Sequence, residues 1–245
     1  TTEIYTLSLH DALPICNAYS LMCNSPLKVG AVVPSAGRGE RFGKKKQFKL
    51  LGRRPLLFHT LTSFLECDDI AEIVVVVPEV DLEMISRELA SFTSIKPVKT
   101  VAGGARRQDS VLNGCLALSE NVEIIAVHDA ARPFVTPELI SATIAGCNEA
   151  DGCIAALPSK DPVKQVSENN IHRTIDRDSI WLAQTPQTFH KDILINALQQ
   201  DMVATDEASM VEATGGTVVV TEGFAGNFKI TTSEDWQLAE NIIND

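Results

Sequence analysis

Short apolar runs alternate with segments of helical period along the chain from Lys28 onward. The run EIVVVVP is apolar throughout, which is typical of a strand buried on both faces of a parallel sheet. In PLLFHTLTSFLEC, by contrast, Leu57, Leu61, Phe64 and Leu65 recur on one helical face. This alternation predicts an α/β protein with a mostly parallel sheet and crossover helices.

The other predicted elements follow the same pattern. Further strands are predicted in KVGAVVP, KPVKTVAGG, EIIAVHD, GCIAALP, TVVVTEG and FKIT. Further helices are predicted in DLEMISRELASF, RQDSVLNGCLAL, TPELISATIAGC, KDILINALQQ and TDEASMVEATGG, and a last helix starts at Ser233. Thr136 before Pro137 is a good helix start, because Thr accepts a backbone N–H and Pro fits the first turn.

Residues 159–186 depart from this pattern. VKQV, an Asn-Asn turn and IHRTI predict a β-hairpin without a crossover helix. Because two strands alone are marginally stable in water, we expect this β-arm to pack on another surface, and a second subunit is a reasonable candidate.

Composition narrows the classes of protein. The net charge of −11 argues against broad nucleic-acid binding, which depends on many Lys and Arg residues. No apolar run approaches the roughly 20 residues of a membrane span, so we expect no membrane partner. The six cysteines form no CxxC pair and no zinc-like cluster with the histidines. They predict buried free thiols in a reducing cytoplasm.

The first 26 residues are treated separately. Their stretch TEIYTLSLHDALPI resembles translated read-through of a sequencing adapter, and they carry no basic region like that of a signal peptide. We therefore predict that residues 1–26 are a non-native or disordered extension. A single domain is expected over residues 27–245.

Against the acidic background, six Lys and Arg residues lie between Arg38 and Lys49, next to the glycines of AVVPSAGRGERFGKKKQF. Such a charge run is usually a solvated face. After a buried strand, however, close glycines let backbone N–H groups approach an anion, and a following helix adds its dipole. The combination predicts a phosphate-binding loop.

Spacing excludes two familiar phosphate loops. A Walker A loop has four residues between its glycines, whereas Gly39 and Gly43 enclose three. A dinucleotide fingerprint has a third glycine where Phe42 stands, and residues 53–65 contain no acid to bind the ribose. The remaining form, P-x-A-G-x-G-x-R followed by Lys-Gln-Phe, favours nucleotidyl transfer with Arg41 and Lys46 at the α-phosphorus.

Several motifs together resemble one family. They are VPSAGRGERF, KKQF, GGARRQDSVLNG, VHDAARPFV, TIDRDSIW, TPQTF, TDEASMVE and GNFKIT. Their order from Val29 to Ile243 is similar to that of the bacterial 2-C-methyl-D-erythritol 4-phosphate cytidylyltransferases of the non-mevalonate isoprenoid pathway. The resemblance implies a Rossmann-like nucleotidyltransferase (GT-A-like) sheet with a projecting β-arm. It also implies a homodimer in which the subunits associate through this arm.

The same resemblance implies the reaction and its Mg²⁺ requirement. CMP would pass from CTP to methylerythritol 4-phosphate, giving 4-diphosphocytidyl-2-C-methyl-D-erythritol and pyrophosphate. Because the nucleophile is already a phosphate, the reaction needs positioning and charge neutralisation rather than a strong general base.

The resemblance also implies site residues, by group. Transition-state stabilisation would fall to Arg41, Lys46 and Lys229. CTP would be bound by Pro34, Ser35, Ala36, Gly37, Gly39, Gly104 and Ser110. The acceptor would be bound by Asp129, Arg132, Thr205, Lys229 and, from the partner's arm, Arg177, with Asp129 also holding Mg²⁺. His128 is expected to pack or to make a local hydrogen bond. The alternative, structural role of Asp129 is to cap a turn.

Three positions depart from the family pattern. Ser35 stands where Ala is common, and Lys45 stands where Pro is usual. Pro162 replaces a Thr whose hydroxyl helps to bind the substrate phosphate, and Pro can donate nothing.

Two other functions stay open at this point. One is a ribitol 5-phosphate cytidylyltransferase, with the same CTP chemistry and another polyol phosphate. The other is a catalytically silent nucleotide-binding module. Arg41, Lys46, Asp129 and Lys229 together favour an enzyme over such a module.

Overall fold

The computed structural model describes residues 27–37, 46–92, 96–202 and 204–244. These residues form a seven-stranded sheet flanked by helices, together with two small two-stranded sheets. The main sheet contains β1 (Val29–Pro34), β4 (Ile70–Val77), β5 (Val98–Ala102), β6 (Ile124–Val127), β7 (Gly152–Pro158), β10 (Trp181–His190) and β11 (Val218–Glu222). The small sheets pair β2 (Leu50–Leu51) with β3 (Arg54–Pro55), and β8 (Val163–Ser167) with β9 (Asn170–Ile175).

The predicted helices are confirmed. They are α1 (Leu56–Glu66), α2 (Leu82–Ser91), α3 (Arg107–Ala117), α4 (Pro137–Gly146), α5 (Lys191–Leu198), α6 (Glu207–Ala213) and α7 (Ser233–Asn244). The predicted cap of α4 is also present, because the Leu139 N–H donates to the Thr136 hydroxyl at 3.3 Å. The seven helices therefore lie where the sequence predicted them.

The order of the strands predicts a ligand-binding crevice at the carboxyl ends of β1 and β6. The order is β11-β7-β10-β6-β1-β4-β5, with β1 parallel to both β4 and β6. The chain first builds outward from β1 through β4 to β5, and then returns to the other side of β1 with β6. Ligands of open α/β sheets bind outside the carboxyl ends of the strands at such a switch point. The segments after β1 and β6 meet there.

Helices cover both faces of the sheet, as the apolar run of β4 predicted. Residues 73–77 of β4 are all fully buried. Helices α1, α2 and α4 pack on one face, and α3, α5 and α6 pack on the other. Burying each Val or Ile side chain of this strand stabilises the fold by roughly 1.5–3 kcal/mol, so the centre of the sheet is a rigid support for the crevice.

Strand β10 was not predicted from the sequence. It lies antiparallel between β6 and β7, and the pairing with β7 breaks between Ala183 and Gln187. Pro186 lies in this break, where its missing N–H interrupts no regular ladder. A proline and several polar residues in WLAQTPQTFH obscured a strand that tertiary pairing stabilises.

The prediction of a strand in FKIT is wrong, because residues 228–230 have no strand structure. Side chains take the backbone carbonyls that a ladder would use. The Arg132 guanidinium donates to the Asn227 carbonyl at 2.7 Å, and the Lys46 ammonium donates to the Ile230 carbonyl. The segment is therefore fixed as an irregular loop at the crevice.

The β-arm is present as the two-stranded sheet β8–β9. Its two-residue turn is Glu168-Asn169, with φ of 47° and 65°, rather than the predicted Asn-Asn pair, because Asn170 already belongs to β9. Both turn residues have positive φ, as in the tight turns that suit a twisted hairpin. The predicted segment 159–186 extends beyond the hairpin, since β10 rejoins the main sheet at Trp181.

The four cysteines in the described part of the chain are free and buried, as predicted: Cys67, Cys115, Cys147 and Cys153. Burial raises the pKa of Cys147 to about 12 and that of Cys153 to about 11. No helix among the described residues is long and apolar enough to span a membrane. The predicted disorder of residues 1–26 lies outside the described residues, as do Cys16 and Cys23.

Candidate active site

The loop after β1 starts on a fixed backbone. The Ser35 N–H donates to the Val76 carbonyl of β4 at 2.7 Å. From the other side, the Gln47 amide donates to the carbonyls of Ser35 at 2.7 Å and of Gly37 at 3.1 Å. Gln47 is buried, so its two bonds form with little competition from water. The loop from Pro34 to Gly37 is thus held by Gln47 at the carboxyl end of β1.

A glycine pair after β5 packs against this loop. The Gly104 N–H donates to the Ser110 hydroxyl at 3.1 Å, and that hydroxyl donates to the Arg106 carbonyl at 3.1 Å. A Cβ on Gly103 would lie 2.5 Å from the Ala36 Cβ and 2.9 Å from the Ser110 Oγ. The two loops can therefore approach only because residue 103 has no side chain.

If CTP binds between these loops, as the family resemblance implies, substitution of Gly103 by Ala is expected to raise the KM for CTP about tenfold, because the added Cβ must push Ala36 and Ser110 away. Steady-state kinetics with varied CTP would measure the change. Gly146→Ala is the matched control, since its Cβ would meet the Cys153 Sγ at 2.4 Å, away from these loops. An unchanged KM for CTP in Gly103→Ala would contradict the packing argument.

Asp129 lies at the centre of the crevice, just after β6. Its Oδ2 accepts from the Lys229 ammonium at 2.7 Å, and its Oδ1 accepts from the Arg107 guanidinium at 3.2 Å. Burial would raise the pKa of Asp129, but attraction by Arg107 and Lys229 prevails and holds it well below its ordinary value. Asp129 is therefore a carboxylate near neutral pH.

Arg107 carries a second ion pair behind Asp129. Its Nη1 donates to the Glu207 carboxylate, which is fully buried at the start of α6. Burial raises the pKa of Glu207, and Arg107 opposes this shift. Burial alone would lower the pKa of Arg107, but the two carboxylates raise it. Three residues from separate elements thus form a chain of charges leading to Asp129.

Arg132 adds a third cation near Asp129. Besides its bond to the Asn227 carbonyl, its Nε is buried without a hydrogen-bond partner in the described part of the chain. Burial lowers the pKa of Arg132, and the charge of Asp129 opposes that shift. Arg107, Arg132 and Lys229 together outnumber the carboxylates of Asp129 and Glu207. The crevice is therefore cationic in a chain of net charge −11, which suits an anionic ligand.

His128 is structural, as the sequence analysis expected. Its ring is fully buried, with Nδ1 3.0 Å from the Thr185 hydroxyl and Nε2 3.1 Å from the Arg132 carbonyl. Burial lowers its pKa to about 4, so the ring is neutral near pH 7. The Thr185 hydroxyl also accepts from the Asp129 N–H at 3.1 Å. His128 and Thr185 therefore help to fix the backbone that carries Asp129 and Arg132.

A family model described as IspD, 2-C-methyl-D-erythritol 4-phosphate cytidylyltransferase, matches residues 29–245. The chain belongs to this family. A cytidylyltransferase of this name from Syntrophus aciditrophicus (strain SB) is 42% identical over 224 residues, covering 88% of this chain and 96% of that protein. One from Alkaliphilus oremlandii (strain OhILAs) is 38% identical over 224 residues, covering 88% of this chain and 95% of that protein.

Solved structures agree with this assignment. The 4-diphosphocytidyl-2C-methyl-D-erythritol synthase of Anaerococcus prevotii DSM 20548 superimposes with a TM-score of 0.79 at 28% identity, covering 89% of this chain and 99% of that one. The cytidylyltransferase of Thermus thermophilus gives 0.71 at 30% identity, covering 89% and 100%. The predicted Rossmann-like nucleotidyltransferase sheet is therefore confirmed, and the chain is a nucleotidyltransferase of the methylerythritol phosphate cytidylyltransferase family.

The structure brings part of the predicted site together. Asp129 and Lys229 are in contact, Arg132 is near them, and Lys46 donates to the carbonyl of Ile230, the residue after Lys229. Gly104 and Ser110 are bonded to each other. Arg41 and Gly39, predicted in the loop after β1, lie outside the described residues.

Two predicted acceptor residues are not joined to this group within one chain. Thr205 is exposed immediately before Asp206, the residue that caps α6. Arg177 lies after the β-arm, where it donates to the Lys160 carbonyl at 3.0 Å and lies 3.8 Å from the Asp178 carboxylate. The cytidylyltransferase family pattern gives both an acceptor role, and that role stays a prediction.

Sequence reasoning missed three residues that hold the site: Gln47, Arg107 and Glu207. Each belongs to a motif that was recognised, KKQF, GGARRQDS or TDEASMVE, but none was given a role. Arg107 and Glu207 are 100 residues apart in the chain, and no spacing reveals such a contact. The one signal in the sequence for the role of Glu207 was its place on the apolar side of a predicted helix, since Glu207 lies on the face that α6 buries.

Proposed function

We propose that this chain transfers CMP from CTP to 2-C-methyl-D-erythritol 4-phosphate, giving 4-diphosphocytidyl-2-C-methyl-D-erythritol and pyrophosphate. The family match supports this reaction. The observation that carries it is the position of Asp129, held between Lys229 and Arg107 at the switch point beside the loop after β1. These charges support binding of phosphate groups, because ligands of open α/β sheets bind at such a switch point.

Charge neutralisation is the main chemical task of the site. The acceptor phosphate attacks the α-phosphorus of CTP in line, and pyrophosphate leaves with the electron pair of the broken P–O bond. Lys229, Lys46 and Arg41 stabilise the negative charge on the reacting oxygens. No proton has to be removed from the nucleophile, and His128 is consistent with this, because it is fully buried and both ring nitrogens are bonded inside the protein.

The nucleotide binds between the two glycine loops. Backbone groups of Pro34, Ser35, Ala36, Gly37 and Gly39 surround the triphosphate, and Gly104 and Ser110 bind the cytosine. The contacts of Gln47 and the close packing of Gly103 on Ala36 support this proposal, because they preorganise both loops before CTP arrives.

We propose Asp129 as the ligand of a divalent cation, Mg²⁺. Among the described residues, no three potential protein ligands form a cluster, so these residues provide no complete metal cage. Mg²⁺ is commonly held by one or two carboxylates together with substrate phosphates and water, and each Asp129 oxygen keeps a second lone pair. The donor set therefore fits a metal that arrives with the triphosphate. When bound, Mg²⁺ neutralises charge on the phosphate oxygens.

The acceptor is bound by Asp129, Arg132, Thr205 and Lys229 of one protomer, and by Arg177 of the partner subunit. We propose a homodimer formed through the β-arm. The arm's opposed Val166 and Ile171 are 54% and 65% exposed, and a second subunit would bury them. Pro162, which lacks a hydroxyl, makes the remaining cations more important for holding the acceptor phosphate. The buried free thiols support a cytoplasmic location.

Release of pyrophosphate tests this function. With CTP and Mg²⁺, we expect the full-length protein to release pyrophosphate with methylerythritol 4-phosphate at a kcat of about 1–10³ s⁻¹. Ribitol 5-phosphate is the control acceptor, and release with it alone would move the assignment to that reaction. Binding of CTP without release with either acceptor would indicate a silent module. The relatives named above favour neither alternative.

A further inference from the structure

Glu207 is a buried carboxylate to which the reaction above assigns no task. Its side chain is fully inaccessible, and Oε2 has no hydrogen-bond partner in the described part of the chain. Burying a carboxylate costs several kcal/mol unless a partner compensates it. The compensating partner is the Arg107 guanidinium, through Oε1. A buried acid that contacts Asp129 only through Arg107 calls for an explanation.

Arg107 connects Glu207 to the reacting centre. Its two terminal nitrogens bond different carboxylates, Nη1 to Glu207 and Nη2 to Asp129 at 3.2 Å. A guanidinium is a rigid planar fork, so fixing one nitrogen also fixes the direction of the other. Because the Glu207 side chain is fully buried at the start of α6, where α6 packs on α5, its carboxylate fixes where Arg107 meets Asp129.

Glu207 also changes the charge that Asp129 can offer. Without Glu207, the full positive charge of Arg107 would pair with Asp129 alone. With Glu207 present, that charge is shared between two carboxylates, and more of the negative charge of Asp129 is left for Lys229 and for a divalent cation. The geometry and the charge balance therefore lead to the same role.

We propose that Glu207 is a positioning residue, which acts through Arg107 to orient Asp129 and to keep its charge available to Lys229 and to the metal–nucleotide complex. The inference rests on the proposed function. The competing explanation is structural: the ion pair would only join α3 to α6. The two explanations differ in whether loss of the Glu207 charge affects turnover in a fully folded protein.

Glu207→Gln is the first variant, because it keeps the side-chain shape and a hydrogen-bond acceptor for Arg107. The guanidinium, whose side chain is 39% exposed, keeps Asp129 as a partner, so no isolated charge is buried. We expect kcat to fall about 30-fold while the KM for CTP changes less than about threefold, as is typical when a second-layer partner of a site residue is lost. Calorimetry would give the CTP dissociation constant independently of turnover.

Glu72→Gln is the matched control. Glu72 is also buried, accepts from Lys99 at 3.1 Å and from the Ser119 N–H at 2.9 Å, and lies on β4 near the opposite end of the sheet. Both variants remove a buried acid from an ion pair. We expect comparable changes in Tm and a fall in kcat for Glu207→Gln only. Unchanged kcat in Glu207→Gln, or equal losses in both variants, would overturn the proposal.

Arg107→Gln and the double variant Arg107→Gln/Glu207→Gln test the route of the effect. If Glu207 acts through Arg107, the double variant turns over no more slowly than Arg107→Gln. A further loss in the double variant would overturn the proposal. Arg107→Gln leaves the buried Glu207 without its partner and is expected to have a lower Tm than the double variant, so both are assayed well below the Tm of Arg107→Gln. An inactive wild-type protein would instead reject the proposed function itself.

Discussion

Replacing Lys229 by Met is expected to lower kcat about 10³-fold, with the protein still folded, because a preorganised charge aimed at the reacting phosphate is worth roughly 3–4 kcal/mol in a site of this kind. Lys229 holds the Asp129 carboxylate at 2.7 Å, and its side chain is 37% exposed. Met keeps most of the side-chain volume and removes only the charge. The measurement is single-turnover pyrophosphate release at saturating CTP and acceptor, which reports the chemical step.

The control for Lys229→Met is Lys99→Met. Lys99 has a similar environment, with a side chain 46% exposed and paired at 3.1 Å with the buried Glu72. Both substitutions remove a lysine from a buried carboxylate. Asp129 keeps Arg107, whereas Glu72 keeps only the Ser119 N–H, so Lys99→Met is expected to lower Tm at least as much as Lys229→Met. Only Lys229→Met should slow turnover. A loss of less than tenfold for Lys229→Met would show that Lys229 merely neutralises Asp129.

Most helices and strands of the fold could be predicted from local sequence patterns. Apolar runs such as EIVVVVP and helical faces such as that of α1 depend on neighbours a few residues away, so their periodicity is visible in the sequence. The predictions at β10 and at FKIT were wrong because these segments depend on contacts with residues distant in the sequence. In β10 the pairing with β6 and β7 outweighs Pro186, and in FKIT the side chains of Arg132 and Lys46 displace a ladder.

Residues of the site could be predicted from the sequence only where they belong to short, recognisable motifs. Asp129 follows a buried strand, and the glycine pair follows another, so their place at the carboxyl edge of the sheet could be inferred. Lys229 was found only through the family resemblance, because nothing local separates it from an exposed lysine. Arg107 and Glu207 were not found, since their contact joins the starts of two helices that only the tertiary fold brings together.

We propose that Arg177 of the partner subunit completes the acceptor half of the site. Arg177 makes its contacts with Lys160 and Asp178, near the base of the β-arm, and its side chain is 55% exposed. If it reaches the crevice of a second subunit, Arg177→Ala should lower kcat/KM for methylerythritol 4-phosphate about 10²-fold, through loss of charge-assisted bonds to the phosphate. The KM for CTP should stay near its wild-type value.

A matched arm variant separates this role from folding of the hairpin. Arg173→Ala removes an exposed arginine of β9 whose Nε donates to the Gln165 side chain at 2.7 Å. We expect it to retain wild-type kinetics. Equal losses in Arg173→Ala and Arg177→Ala would attribute the effect to the arm as a whole.

A heterodimer of two impaired variants tests directly whether Arg177 acts across the interface. One protomer would carry Arg177→Ala and the other Lys229→Met, each with its own affinity tag. If Arg177 serves the partner's crevice, one of the two sites in this heterodimer combines an intact Lys229 with an intact Arg177, and kcat/KM for the acceptor returns to about half of the wild-type value, as two-fold symmetry requires. If Arg177 serves its own crevice, each site lacks one residue and the heterodimer stays as impaired as its parents. An active monomer in sedimentation at the assay concentration would equally reject the shared site.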